Sequence, residues 1–419
     1  MIFTSILLVL LALLGAPLFA IIGAGALLGY QQAGVDLTAV PIEIFGIAET
    51  PILLAIPLFT FAGYVLSESQ AAARLVRLSS ALLGWLPGGL AMVAVATCSL
   101  FTAFTGGSGV TIIAIGALLY PALVQAGYGE RFTLGLVTSS GSLGLLFAPS
   151  LPLIIYGIIA EVPIDSLFVA GVVPGVLMMI ALAAFCLWRN RENRRPISEF
   201  SWPEVGAALR AAIWELPLPI VVLGGIYSGF FAVSEAAAVT VIYVLITELL
   251  IYREVPWRRL PSIIRNSMVL VGGILLILGI SLASTNYMID AQVPQKLIGV
   301  VTHYISSQTS FLLLLIAFLM LIGCILHIYS ALVLIVPLIL PVASRYGVDP
   351  VHLGIIFVAT MELGYLLPPI GLNLYISSFR FRRPVLEVCM ATLPFMLILL
   401  VAVFLIAFIP ALSLALLPN

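Results

Sequence analysis

Long runs of apolar residues recur from one end of the chain to the other, separated by short segments rich in charged residues, glycine or proline. Most of these runs approach or exceed the roughly 18 residues that a helix needs to cross a lipid bilayer. The pattern predicts crossings at 3–29, 51–66, 132–160, 167–188, 212–232, 234–252, 267–289, 352–378 and 391–416. We therefore expect an all-α polytopic membrane protein.

Two further apolar segments, 87–126 and 308–344, are too long for one crossing and are interrupted near their centres. The sequence TGGSG interrupts the first at 105–109, and HIYS interrupts the second at 327–330. Each segment is either two full crossings or one re-entrant hairpin that enters and leaves on the same face of the membrane. Both alternatives leave the orientation of the other helices unchanged.

The composition narrows the class of protein. Hydrophobic residues make up 63% and charged residues 8% of the 419 residues, whereas a soluble domain carries about 25% charged residues. A soluble enzyme, a nucleic-acid-binding protein and a disordered scaffold are excluded. The four cysteines lie far apart within apolar runs and the three histidines are isolated, so the sequence indicates no disulfide framework, zinc site or haem.

The basic residues indicate the orientation. With residues 67–86 in the cytoplasm, 15 of the 17 basic residues fall on that side, and only Lys296 and Arg345 lie outside. Because basic residues near helix ends favour the cytoplasm, we expect the N-terminus inside and the C-terminus outside. Residues 1–20 resemble a signal peptide, but they lack a basic start and their apolar run continues to Leu28. We interpret them as a retained first helix.

The sequence contains a weak internal repeat. A shift of about 220 residues superposes prolines and glycines of the two halves: Pro121 on Pro341, Gly127 on Gly347, Pro149 on Pro369 and, one residue off, Gly135 on Gly354. The crossing at 212–232 separates the halves and inverts the second one. Inverted repeats with discontinuous helices are typical of secondary transporters, whose substrate and ion sites lie near the bilayer midplane.

The first candidate site combines glycines and hydroxyls at the interruption of the first long segment with those of the following crossing. Its members are Gly106, Gly107, Ser108, Gly109 and Thr111, with Ser139, Ser140, Gly141, Gly144 and Ser150. Broken helices there would offer hydroxyls and free carbonyls to a monovalent cation, and helix N-termini to an anion. Alternatively, the glycines serve close helix packing.

The second candidate site has the same design. It combines Tyr329 and Ser330 with Thr360, Met361, Glu362, Gly364, Pro368 and Asn373. The Pro-Pro pair at 368–369 interrupts helical hydrogen bonding and frees carbonyls. Glu362 is an acid inside a crossing, which marks either a functional residue or a protonated or hydrogen-bonded structural acid. Asn373 contacts substrate or satisfies the freed backbone.

Two other classes of function remain as alternatives at this point. The sequence GGSG at 106–109 fits the G-x-S-G pattern of rhomboid-type intramembrane proteases, with Ser108 as nucleophile and His327 as base. A protease leaves the duplicated Pro-rich crossing unexplained, and we expect His327 to be a polar lining residue rather than a metal ligand. A channel is the other alternative, but inverted repeats favour alternating access.

One segment carries a family resemblance. Residues 219–239 read PIVVLGGIYSGFFAVSEAAAV, which resembles the signature of the large membrane subunit of TRAP transporters, the DctM family. The tip at 106–111, the stretch 135–156 and the break at 367–373 resemble the same family in order and spacing. The likeness spans almost the whole chain.

The resemblance implies a tripartite, ATP-independent importer in the bacterial inner membrane, with a periplasmic C-terminus. A DctP-type periplasmic binding protein would deliver an organic acid such as a C4-dicarboxylate, sialic acid or another carboxylate. A DctQ-type small subunit of four helices would brace the large one. We expect it to be a separate polypeptide, because no such segment precedes Met1. Import would be coupled to Na⁺ by an elevator motion. A self-sufficient Na⁺-coupled carboxylate symporter is the alternative.

The resemblance also implies the site residues. One Na⁺ site would lie at Ser108 and Gly109 with Ser139, Ser140, Gly141 and Gly144. The other would lie at Tyr329 and Ser330 with Thr360, Met361, Gly364 and Pro368. The substrate would sit between the tips, where the candidates are Gly106, Gly107, Thr111, Ser150, Glu362 and Asn373.

We expect the chain to divide into scaffold, arms and transport domain. The scaffold would comprise 1–66 and 212–289, and amphipathic arms would span 67–86 and 290–306. The two halves of the transport domain would span 87–160 and 307–378. A helix with an Arg-rich cytoplasmic loop would occupy 161–211, and a C-terminal helix would occupy 379–419.

Overall fold

A computed structural model describes residues 16–86, 88–190 and 200–417, together with residues 8, 10, 11 and 14. Within these ranges the chain is helical and contains no β-strand. The first half contains α1 (Leu18–Ala33), α2 (Ala39–Ala48), α3 (Ala55–Ser67), α4 (Ala71–Leu83), α5 (Gly89–Thr105), α6 (Ser108–Gln125), α7 (Glu130–Ser140), α8 (Leu151–Ala160), α9 (Ile164–Arg189) and α10 (Trp202–Ala211).

The second half contains α11 (Pro217–Tyr227), α12 (Val233–Leu245), α13 (Leu260–Asp290), α14 (Val293–Tyr304), α15 (Gln308–Ile325), α16 (Ile328–Arg345), α17 (Pro350–Gly364), α18 (Leu372–Phe381), α19 (Val385–Phe408) and α20 (Ala411–Leu414). Short 3₁₀ turns span Pro51–Leu54, Leu143–Leu146 and Trp257–Arg259, and a π-helical turn follows α12 at Ile246–Ile251. Seven described helices are long and apolar enough to cross a membrane, or up to nine if each bent pair counts as one span.

Both long segments form helix pairs that reverse at a tip. The first tip lies between α5 and α6, where Gly106 has φ +67° and Gly107 is extended. A side chain is strained at positive φ, so glycine ends α5 there at little cost. The second tip, between α15 and α16, contains no glycine, and Leu326 and His327 are both extended.

Two crossings are broken, as the Pro-rich segments predict. Helix α7 continues as a 3₁₀ turn, and the segment from Glu130 to Leu146 is bent by 43° relative to α8. Helices α17 and α18 are separated by residues 365–371. Cis peptide bonds precede Pro149 and Pro369 in the two breaks.

The predicted repeat is confirmed by the order and the length of the helices. Helix α6 runs from Ser108 to Gln125 and α16 from Ile328 to Arg345, so both their first and their last residues differ by 220 positions. Helices α7 and α17 begin at Glu130 and Pro350, again 220 apart. Each half thus contains a hairpin followed by a broken helix.

The broken helices form the centre of the core. Every residue of α17 from His352 to Gly364 is buried, and so is every residue of α7 from Thr133 to Ser140. Residues buried on all sides have neighbours on every face, so these helices lack the single apolar stripe of a peripheral helix. The first unwound segment, residues 141–150, is likewise held inside the protein, as irregular backbone at membrane depth requires, whereas Pro368, Pro369 and Ile370 of the second break are exposed.

A cluster of charges attaches α4 to the other half of the chain. The Arg74 guanidinium bonds the carboxylates of Glu215 and Glu254, lies 3.3 Å from Glu248, and stacks 3.9 Å from the ring centre of Tyr252. Burial alone would lower the pKa of Arg74, but Glu215, Glu254 and Glu248 outweigh it and hold that pKa above its usual value. The start of α4 is therefore fixed to the elements around α11 and α12.

Several helices begin or end at other residues than the predicted crossings. The crossing at 212–232 contains only the 11 residues of α11, because Gly229 turns the chain with φ +71°. The crossing at 267–289 begins earlier, at Leu260. The predicted first crossing begins at residue 3, outside the described residues, and α1 within it extends beyond the predicted end to Ala33.

Two helices are absent from the prediction. Helix α2 is short and contains Pro41 and Glu43, which interrupt its apolar signal. Helix α10 buries Val205 and Ala208, and its ten residues are too few for the membrane crossings that the apolar runs predict. The expected Arg-rich loop includes residues 191–199, which lie outside the described residues.

Candidate functional site

Both hairpin tips line one central cavity of about 230 Å³. The first tip contributes 105–110 and the second contributes 327–329, while Tyr64 of α3 and Leu270 of α13 close one side. The other lining residues are Leu145, Leu151, Tyr365, Leu372 and Ile376. Predicted site residues Gly106, Gly107, Ser108, Gly109 and Tyr329 thus share one cavity.

Four helices begin at this cavity. Their first residues are Ser108 of α6, Leu151 of α8, Ile328 of α16 and Leu372 of α18, and all four line it. The N-terminus of a helix carries unpaired N–H groups and roughly half a positive charge. No lysine, arginine, aspartate or glutamate is among the lining residues. The main chain therefore supplies the partial charges at the cavity: N–H donors from these four helix starts, and carbonyls where α5 ends at Thr105 and α17 is followed by Tyr365.

Thr102 holds the first tip against the first break. Its Oγ1 lies 2.6 Å from Thr111 Oγ1 and donates to the carbonyl of Gly141 at 2.7 Å. A Cβ on Gly141 would lie 2.6 Å from Ile112 and 3.5 Å from the Ser108 carbonyl, so glycine permits this approach. Sequence reasoning missed Thr102, although a threonine three residues before a predicted tip is a usable signal.

Hydrogen bonds join the two halves next to the cavity. Ser108 Oγ donates to Asn373 Oδ1 at 2.8 Å, and the Tyr329 hydroxyl donates to the Gly106 carbonyl at 3.1 Å. Deeper in the core, Thr138 Oγ1 donates to Ser377 Oγ at 2.8 Å. The tip of each half therefore depends on the other half.

The second tip is held by Tyr365, which the sequence did not single out. Its hydroxyl accepts a hydrogen bond from the Ile328 amide at 2.7 Å. The Gly371 amide donates to the Cys324 carbonyl at 3.0 Å, and a Cβ on Gly364 would lie 2.6 Å from Gly323 Cα. Break and tip are thus in direct contact in the second half as well.

The remaining predicted substrate residues lie behind the cavity wall. Thr111 bonds Thr102, and Ser150 caps α8 by accepting from the Leu153 amide at 3.5 Å. Asn373 is fully buried and supports Ser108. Glu362 is 1% exposed and has no hydrogen-bond partner among the described residues. None of these four lines the cavity.

The predicted cation ligands offer buried oxygens that lack partners. Within the described ranges, Ser139 Oγ and Thr360 Oγ1 form no hydrogen bond, and Ser140 Oγ donates to the Leu136 carbonyl of its own helix and contacts Cys98. Hard cations bind oxygen ligands of this kind, so these residues fit a monovalent cation. Met361 is buried within α17, whereas Pro368 is exposed in the break that follows this helix. Ser330 is half-buried in the first turn of α16. The Tyr329 hydroxyl is engaged at the first tip.

The geometry does not assemble a serine protease. Ser108 Oγ donates to Asn373, and the His327 ring nitrogen accepts from the Tyr329 amide at 3.5 Å. A nucleophile needs a hydrogen bond to its base, and none joins Ser108 to His327 in the described part of the chain. No group of three His, Cys, Asp or Glu residues in the described ranges is arranged to hold a metal ion.

Comparison with known proteins is consistent with this architecture. The crystal structure titled as that of the Alcanivorax borkumensis YdaH transporter, with an unusual topology, superposes with a TM-score of 0.67 over 99% of this chain and 100% of that one. The two sequences are 15% identical, so the likeness concerns the fold.

Sequence comparison gives the family. The chain is 35% identical over 385 residues to the C4-dicarboxylate TRAP transporter large permease protein DctM of Pseudomonas aeruginosa, covering 92% of this chain and 90% of that one. It is 32% identical over 412 residues to the ectoine/5-hydroxyectoine TRAP transporter large permease protein UehC of Ruegeria pomeroyi, covering 97% and 96%. These relatives are permeases, not enzymes. The model of the family described as the tripartite ATP-independent periplasmic transporter, DctM component, matches residues 4–412, and the chain belongs to this family of membrane transport proteins.

Proposed function

We propose that this chain imports an organic acid into a bacterial cell, coupled to Na⁺ entry, as the large permease of a tripartite system. A periplasmic binding protein of the DctP type delivers the acid, and a small DctQ-type subunit accompanies the permease. The observation that supports this most is the convergence of four helix N-termini on a cavity lined by no charged side chain. Such a cavity favours an anion.

The cavity suits a small carboxylate better than a cation or a neutral solute. Each helix N-terminus contributes roughly half a positive charge. First-turn amides that do not already donate within the protein, as those of Ile328, Tyr329 and Leu153 do, supply N–H donors. Leucines 145, 151, 270 and 372 exclude water from part of the wall, which strengthens these interactions. Candidates for the acid are C4-dicarboxylates, sialic acid and other carboxylates, and the ectoine-transporting relative extends the class to zwitterions.

Na⁺ is the proposed coupling ion. The first site comprises the hydroxyls and carbonyls of Ser108, Gly109, Ser139, Ser140, Gly141 and Gly144. The second comprises Tyr329, Ser330, Thr360, Met361, Gly364 and Pro368. When bound, the ion would supply positive charge beside the carboxylate. The protein's own contribution is to hold each tip against its break, through Thr102 in one half and Tyr365 in the other.

An elevator motion of hairpins and broken helices against the other crossings fits the contacts at the tips. Two hydrogen bonds, Ser108–Asn373 and Tyr329–Gly106, join the two halves of the chain into one body. We place this body in the bacterial inner membrane, with the N-terminus in the cytoplasm and the C-terminus in the periplasm. The arginine distribution supports that orientation.

The test is uptake into proteoliposomes that contain the full chain, its small subunit and its binding protein. Radiolabelled succinate, N-acetylneuraminate and lactate are offered with and without an inward Na⁺ gradient. Accumulation of one acid that requires both Na⁺ and the binding protein is the expected result. Uptake that needs Na⁺ but no binding protein would instead support a self-sufficient carboxylate symporter. Accumulation of an acid without Na⁺ would contradict the proposal that Na⁺ is the coupling ion.

A further inference from the structure

Arg380 continues the face of α18 that lines the central cavity. Leu372 and Ile376 both line the cavity, and residues four positions apart share one face of a helix. Arg380 is the next residue on that face. At a rise of 1.5 Å per residue, it lies about 6 Å beyond Ile376 along the helix axis. Arg380 is thus the first charged residue on this face of α18 beyond the cavity.

The guanidinium of Arg380 bridges two helices that begin at the cavity. Its Nε donates to the Ile113 carbonyl of α6 at 3.2 Å, which directs the side chain towards the helix that carries Ser108. Arg380 is exposed and forms no ion pair with any acidic side chain of the described residues. By contrast, Arg383 bonds Glu130 and lies 3.6 Å from Glu387. The Nη donors of Arg380 therefore remain free for a ligand.

An open groove of about 510 Å³ lies beside Arg380. Ser378, Phe379, Arg380 and Arg382 line it, so it carries positive charge and no acid. An arginine binds a carboxylate through two parallel hydrogen bonds, a geometry that lysine does not reproduce. We propose that Arg380 forms a second carboxylate-binding position, which receives the substrate anion as it leaves the central cavity on the cytoplasmic side.

This inference rests on the proposed function, because it needs an anionic substrate and the cytoplasmic orientation of the end of α18. The two positions differ in kind. The central cavity holds the anion through main-chain dipoles, whereas Arg380 offers a side chain at an exposed site where water and salt weaken the attraction. Weak binding at the exit suits a residue that must release its ligand.

The test compares Arg380→Gln with Arg131→Gln. Arg131 is a matched control, since it is also exposed, donates to a backbone carbonyl (Met390, 3.3 Å) and has no ion pair within the described ranges. The complete tripartite system is reconstituted into proteoliposomes so that the cytoplasmic face of the permease points into the lumen. The substrate is the acid that the uptake panel identifies. The half-saturating concentration of that acid is measured from the lumen by exchange and from outside by uptake.

We expect Arg380→Gln to raise the lumenal half-saturating concentration about tenfold and to leave the outer value unchanged, equivalent to about 1.4 kcal/mol. Arg380→Lys should raise it less, and Arg131→Gln should match the parent chain. Equal values for Arg380→Gln and the parent would overturn the inference. A second outcome would also overturn it. If removing anionic lipids from the liposomes raises the lumenal half-saturating concentration of the parent chain as much as Arg380→Gln does, Arg380 acts on lipid headgroups and not on the substrate.

Failure of the proposed function has a different signature. If the parent chain transports none of the panel acids, the proposed function fails and this inference fails with it. If the parent transports an acid normally and only the Arg380 result is negative, the proposed function stands.

Discussion

Thr102 is the residue that couples the first tip to the first break. One hydroxyl contacts both Thr111 and the Gly141 carbonyl, so its loss affects two elements at once. Asn373 has a similar position between the halves, since it accepts from Ser108 and its amide Nδ2 has no partner within the described ranges. Neither side chain lines the cavity, yet both determine where the residues that line it stand.

We expect Thr102→Val to weaken Na⁺ dependence without preventing membrane insertion. Valine keeps the shape of threonine but leaves Thr111 Oγ1 without that contact and the Gly141 carbonyl without its donor. An unsatisfied buried group costs about 1–3 kcal/mol. The Na⁺ concentration for half-maximal uptake should rise several-fold.

The control for this measurement is Thr60→Val. Thr60 is equally buried, but its hydroxyl bonds only the Ile56 carbonyl of its own helix. If Thr102→Val and Thr60→Val shift the Na⁺ dependence equally, the first tip is not part of the ion site.

At the scale of elements, the close approach of neighbouring helices depends on a few glycines. A Cβ on Gly144 would collide with the Ser99 carbonyl and lie 2.6 Å from both the Ala103 amide and Thr102. Two of these neighbours are backbone atoms, which cannot move aside as a flexible side chain can. The 3₁₀ turn after α7 therefore sits where only glycine fits against α5.

Gly144→Ala should lower the thermal stability of the purified protein and reduce uptake. Overpacking in a dense core costs about 1–3 kcal/mol, and here the backbone contacts favour the upper end. Gly224→Ala is the matched variant, because nothing lies within 4 Å of its added Cβ. Thermal unfolding in detergent should separate the two, and equal melting temperatures would contradict the close packing.

The charge cluster at the start of α4 allows a second prediction at this scale. Arg74→Met removes the cation between Glu215, Glu248 and Glu254, leaving three acids together. Breaking a buried ion pair on one side costs about 3–5 kcal/mol. We expect a large loss of thermal stability, measured as above. The exposed pair of Arg77 and Glu204 provides the control, since Arg77→Met should change little.

Much of this architecture could be predicted from local sequence. The glycines at 106–109 and the Pro-Pro pair at 368–369 mark chain breaks because they restrict the backbone itself. The spacing of these breaks reveals the repeat. Helix α10 escapes the prediction although Trp202, Val205 and Leu209 recur at helical spacing, because its ten residues are too few for the crossings on which the prediction is based. The Ser108–Asn373 bond joins residues 265 apart, a distance that no local pattern reports.

At the scale of the whole molecule, the orientation of the chain in the membrane is the prediction that can be tested most directly. Cysteines placed at the exposed positions Ser262 and Ser306 should report opposite faces. We expect a membrane-impermeant maleimide to label Ser306→Cys in intact cells, and Ser262→Cys only after permeabilisation. The parent chain, whose four described cysteines are free, gives the background. The reverse labelling would invert the proposed topology.

The four helix starts around the cavity have a consequence for how substrate range changes. The proposed attraction for an anion would belong to the peptide backbone, so it would not depend on the identity of any one side chain. The side chains on the same wall, such as Leu270 and Ile376, could then vary without removing that attraction. Evolution can therefore reshape the wall for a new acid while charge selection persists, and directed evolution should find altered specificity more readily than altered charge preference.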